Sequence, residues 1–220
     1  MKIKALLLTL IVIIAFLSSC SNDREYVETE VIESANALIK KSEKLNDLYY
    51  GYGIAYVDNE SESVGAYYRA DPFSLDYFGV ENLRDIEELT YECYSFDMSQ
   101  SIISTKLSSI SDENGIQGYA RYYQKYSALD DSEECIMVYK NASVYLTDKV
   151  VYDYDSIRVL GSKGEEVFVE IDITVSNSDG KTQNQTLKIS FVEESSGWRI
   201  NSPTYAKYVD DDYYNELQNK

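Results

Sequence analysis

Two aspartates, Asp153 and Asp155, stand two positions apart in the run Lys149 to Leu160, where Val150, Tyr152 and Tyr154 alternate with Val151, Asp153 and Asp155. Successive side chains of a strand point to opposite faces, so the two carboxylates share one face about 7 Å apart. Such a pair is an acidic patch for a basic or amine-bearing partner, the two carboxylates of an acid/base catalyst, or a solvated strand face. Catalysis requires burial that raises one of the two pKa values, and the flanking residues supply none specifically. Asp153 and Asp155 are therefore taken as partner-binding residues, and no catalytic residue is assigned.

The chain has no histidine, which removes the Ser-His-Asp and Cys-His arrangements, the usual zinc ligands and the commonest general base at neutral pH. Asp210-Asp211-Asp212 lacks the alternate oxygen spacing and turning glycine of a calcium loop, so no metal and no cofactor are expected. Gly161-Ser162-Lys163-Gly164 lies between two strand-like runs and opens no helix, so it reads as a hairpin loop and not a phosphate cradle. Trp198, the single tryptophan, either floors a ligand pocket or packs in a core. Cys93 and Cys135 are either a disulfide or two buried free thiols.

The first twenty residues give the address. Lys2 and Lys4 precede an apolar stretch from Ala5 to Phe16, the length of a signal h-region and short for a membrane span. Leu17-Ser18-Ser19-Cys20 resembles the lipobox of bacterial lipoproteins. The resemblance implies cleavage before Cys20, lipidation of its thiol, and a location on the outer face of the cytoplasmic membrane, anchored by acyl chains. Lys2 and Lys4 are the only charges before Cys20, so the mature chain keeps 18 of the 20 basic residues and all 38 acidic ones, a formal charge of −20. Nucleic-acid binding needs a basic face, and DNA and RNA are excluded as partners.

The elements that must carry these residues follow from periodicity. Val27, Val31, Ala35, Leu38, Leu45 and Leu48 recur at near-helical spacing, predicting one long amphipathic helix over 25–50, stopped by Gly51 and Gly53. A hairpin is expected from 54–57 and 64–70 around a turn at 58–63, broken by Asp71-Pro72. A helix over 83–94 follows, then a third opened by Asp97-Met98-Ser99-Gln100 as a capping box, with Ile103, Leu107 and Ile110 on its buried side. Residues 111–118 read as a loop.

Beyond Tyr119 the period falls to two, with strands expected at 119–126, 135–140, 143–147, 149–160, 165–177, 182–194 and 197–201. Val167, Val169, Ile171, Ile173 and Val175 face one way, Glu170 and Asp172 the other, as in a sheet with one dry face. Asp179-Gly180 and Ser195-Ser196-Gly197 are turn signals that make the end of the chain an antiparallel meander. The expected division is a signal peptide over 1–19, an anchor, spacer and long helix over 20–50, an α+β domain over 51–208 and an acidic tail over 209–220.

Helices followed by a curved antiparallel sheet ending in Gly197-Trp198-Arg199-Ile200-Asn201-Ser202-Pro203 resemble the cystatin-like or NTF2-like fold. More narrowly, four segments resemble, in order, the DL-endopeptidase inhibitor family: Ala66-Tyr67-Tyr68-Arg69, Val80-Glu81-Asn82-Leu83-Arg84, Tyr94-Ser95-Phe96-Asp97 and Cys135-Ile136-Met137-Val138-Tyr139. That likeness implies an exported binding module that blocks the groove of an NlpC/P60-type cell-wall hydrolase. The alternative is a small-molecule binder that uses the apolar interior of the cone.

Overall fold

The computed structural model describes residues 25–107, 110–112, 115–125 and 134–209. Cys20, the expected signal peptide and Asp210-Asp211-Asp212 lie outside the described residues. Helix α1, Glu28–Tyr50, buries Val31, Ala35, Leu38, Ile39, Leu45, Leu48 and Tyr49 along one stripe. Glu28 and Glu30 in its first turn oppose the positive end of the helix dipole. The expected hairpin is displaced. Strands β1, Ser63–Val64, and β2, Tyr67–Arg69, turn at Gly65 with φ 62°. Residues 54–57 contribute only the bridge Tyr56–Ala70, and Glu60–Glu62 form a 3-10 turn capped by Asn59.

Asp71-Pro72, expected to interrupt the chain, instead opens helix α2, Pro72–Phe78. The Asp71 side chain accepts from Ser74 N at 2.9 Å, and proline at the first helical position lacks only a donor that would go unpaired there anyway. Helix α3, Leu83–Cys93, begins with a reciprocal Asn82/Asp85 capping box. Helix α4, Phe96–Lys106, is capped by Ser95, whose Oγ accepts from Met98 N. The expected Asp97 box thus begins inside the helix. Ser99, Ile102 and Leu107 are its buried positions, while Ile110 opens strand β3, Ile110–Asp112, which pairs with β4, Gly115–Gly118, where a loop was expected.

The remaining strands are β5, Tyr122–Lys125; β6, Cys135–Tyr139; β7, Lys149–Lys163; β8, Glu166–Ser176; β9, Thr182–Glu194; and β10, Gly197–Ile200. They do not make one curved sheet. β7 to β10 form the expected antiparallel meander, whereas β6 pairs with β5 and with β2, in a second sheet ordered β1-β2-β6-β5. Residues 143–147 form no strand, because Tyr145 N and Leu146 N donate instead to Tyr50 O at the end of α1. The architecture is α+β.

Helix α1 packs on β7 and β10 and against α3. The inward residues of β8, Val167 to Val175 at alternate positions, are 0–3% exposed, and their burial contributes on the order of 10 kcal/mol. A polar thread runs through this layer. Asn46 Nδ2 donates to Thr204 Oγ1 at 3.0 Å, Thr204 Oγ1 to Ser42 Oγ at 2.7 Å, and Ser42 Oγ to Ile39 O at 2.7 Å. Among the described residues no buried side-chain nitrogen or oxygen lacks a partner, so the interior is closed in hydrogen bonding.

Candidate functional site

Strand β7 is fixed from its inner side. Tyr152 OH donates to Thr204 O at 2.7 Å, Tyr154 OH hydrogen-bonds Glu43 of α1, and Lys40 lies over the Tyr154 ring at 4.5 Å. The alternation then places Val151, Asp153 and Asp155 on the outer, exposed side, as their spacing predicts.

The register adds what the spacing does not contain. Asp153 stands directly across from Asp172 of β8, and opposed like charges on a sheet destabilise unless compensated. Compensation falls on one partner only. Thr186 Oγ1 donates to Asp172 at 2.8 Å, and Arg158 bridges Asp172 at 3.5 Å and Glu170 at 2.8 Å. The Thr186 hydrogen bond first, and Arg158 second, hold the Asp172 carboxyl below the usual carboxylate range. Asp153 receives only the Asp155 backbone N–H, at 3.3 Å, and among the described residues it makes no ion pair.

A bulge between Asp153 and Arg158 makes this arrangement possible. Ser156 Oγ donates to Asp153 O at 2.6 Å and accepts from Asp172 N at 2.8 Å, replacing the interrupted ladder. Arg158 is thereby brought back beside Glu170 and Asp172. Around the pair lies an open groove of about 690 Å³ lined by Val151, Asp153, Asp172, Thr174, Asn184 and Thr186 among others. Asp155 stands beside this groove and does not line it. The sequence singled out Asp153 but missed the roles of Asp172, Arg158 and Thr186, which depend on the β7–β8 register and the bulge.

An acid/base pair needs one carboxyl held protonated by a dry environment. Here Asp153 is exposed and Asp172 is shifted the opposite way, so this pair is arranged to attract a cation. The other singled-out residues lie elsewhere. Of the two cysteine arrangements left open, the structure has free thiols. Cys93 ends α3, buried, with Sγ 3.5 Å from Leu38 O, and Cys135 begins β6, half-buried, with Sγ 3.7 Å from Met137 Sδ. Trp198 packs half-buried on the core. Gly161, Ser162 and Lys163 belong to β7, and the reversal falls at Gly164-Glu165 because Lys163 pairs with Glu166.

Compared with protein-family models, curated proteins and solved structures, the chain matches none.

Proposed function

We propose that the chain is a lipid-anchored binding module of the bacterial cell envelope that inhibits or regulates a cell-wall DL-endopeptidase of the NlpC/P60 type. In this account acyl groups on Cys20 hold it on the outer face of the cytoplasmic membrane, and the outer face of β7–β9 covers the enzyme's groove. The finer fold reading is cystatin-like or NTF2-like. It is supported by the long helix on the dry face of an antiparallel meander whose last strand is Gly197–Ile200.

The observation that carries the proposal is the uncompensated Asp153 carboxylate in an open polar groove, beside an Asp172 already held by Arg158 and Thr186. A basic group from a partner completes the pairing at Asp153, and a close interfacial charge pair contributes to both association rate and affinity. Among the described residues every buried side-chain nitrogen and oxygen already has a partner, which favours this surface over a polar ligand site in the interior.

The mature chain, used as bait in envelope extracts, captures a DL-endopeptidase, and Asp153→Lys abolishes capture by placing a cation against the partner's cation. Equal capture by both proteins, or capture of no hydrolase, contradicts the proposal.

A further inference from the structure

A second cleft, of about 420 Å³, opens where α4, the approach to β5 and the segment after β6 meet. Its charge is opposite to that of the chain as a whole. Lys106 and Arg121 both line it, in a protein of net charge −18. Among the described residues neither makes an ion pair with a carboxylate, and no acidic residue lines the cleft. Lys106 sits between two rings, its ammonium 4.7 Å from the centroid of Tyr50 and 4.9 Å from that of Tyr145. Burial pulls its pKa down, Tyr145 offsets part of that shift and Arg121 adds to it, the response of a cation without a carboxylate partner.

Arg121 supplies charge and no donor, since all of its N–H groups are occupied by protein oxygens. Lys106 therefore presents the donor. Beside it, Tyr119 is 48% exposed and stacks on Tyr139 at 4.8 Å with an interplanar angle of 16°, and Tyr145 is 52% exposed. A ring backed by another ring is a rigid platform. Asn141 and Ser143 supply polar rim groups.

We propose that this cleft binds a carboxylate-bearing saccharide, a pyranose ring lying on Tyr119 and its carboxylate taking the Lys106 ammonium. A pyranose offers a C–H face to an aromatic ring and hydroxyls to a polar rim. The carboxylate supplies the negative charge that the pair of cations lacks, and a charge-assisted hydrogen bond to Lys106 is the strongest contact available in the cleft. This surface is separate from the Asp153 groove, and the inference does not depend on the hydrolase proposal.

The test is calorimetric titration of the mature chain in detergent with two tetrasaccharides. One is a neutral N-acetylglucosamine oligomer, and the other alternates N-acetylglucosamine with N-acetylmuramic acid bearing a free lactyl carboxylate. The acidic oligomer binds and the neutral one binds at least about tenfold more weakly. Lys106→Gln removes that preference, Lys106→Arg restores it, Tyr119→Ala weakens both oligomers, and Asp153→Lys changes neither. Thermal melts of each variant separate loss of binding from loss of fold. Equal binding of the two oligomers, binding of neither, or a preference that survives Lys106→Gln overturns the assignment.

Discussion

Arg121 Nη2 donates to the carbonyl oxygen of Gly51 at 2.7 Å, tying the chain that enters β5 to the residue that ends α1. The same guanidinium reaches Tyr52 O at 2.9 Å, Ser143 O at 3.2 Å and Tyr49 O at 3.4 Å, and its Nε donates to Tyr122 OH at 3.0 Å. No basic residue lies in the last turn of α1. Arg121 therefore supplies from another element the cation that a helix C-terminus favours.

Replacing Arg121 by methionine keeps the bulk and removes every donor. The buried carbonyls of Tyr49 and Gly51 lose a charged partner, and the loss of stability is about 3 kcal/mol. Urea denaturation of Arg121→Met measures it, and a loss below about 1 kcal/mol contradicts the capping role.

Gly53 and Gly180 both have positive φ, 65° and 77°, but only one is crowded. A Cβ on Gly53 would stand 2.1 Å from Tyr122 OH and 2.8 Å from Leu48 O, while nothing lies within 4 Å of one on Gly180. Gly180→Ala costs about 1 kcal/mol through its backbone conformation alone. Gly53→Ala costs more, because Tyr122 must also give up its place against Leu48 and Ile54. Equal losses in paired denaturation curves would show that the Tyr122 contact is soft.

Burial pushes the Cys93 thiol up to about 12, with Lys41 and Arg199 offsetting only part of the shift. A raised pKa favours the neutral folded form, so this contribution is fully present below the unfolded thiol's value of about 8.5. It is lost as pH rises from there through about 12. At pH 8 native Cys93 resists iodoacetamide over the time in which half-buried Cys135 is alkylated. Peptide mass spectrometry distinguishes the two, and rapid labelling of Cys93 or recovery of a Cys93–Cys135 disulfide contradicts the buried free thiol.

The proposed lipidation at Cys20 predicts that the mature protein partitions into the membrane fraction and that its N-terminal peptide carries the mass of acyl chains. Cys20→Ala prevents both and releases soluble protein if export continues. From Cys20 to Glu28 the extended chain reaches at most about 29 Å, so the proposed anchor would hold α1 close to the bilayer. Membrane association unchanged by Cys20→Ala contradicts the anchor.

The parts of the fold governed by local periodicity were legible. The stripe of α1 and the alternation of β8 each repeat often enough to fix a face, and the same rule put Asp153 and Asp155 outward. Pairings between distant segments were not. Tyr67 to Arg69 could be read as a strand, but nothing local indicates that it pairs with β6, so the second sheet was missed. Asp71-Pro72 fits both the end of an extended segment and the start of a helix, and the Ser74 N–H decides it. Asp153 was visible as an exposed carboxylate, whereas its difference from Asp172 rests on a bulge that returns Arg158 to Asp172. The Lys106 cleft draws on α1, α4, the approach to β5 and the segment after β6, which no local periodicity brings together.

The most direct measurement is the rate at which a purified NlpC/P60-type DL-endopeptidase cleaves peptidoglycan while the mature chain is titrated in. The account predicts a saturable fall in rate, with Asp153→Lys weakening inhibition at least tenfold and Asp155→Lys, which stands beside the groove, weakening it less. An unchanged rate at saturating protein, or inhibition indifferent to Asp153→Lys, contradicts the claim that this face engages the enzyme.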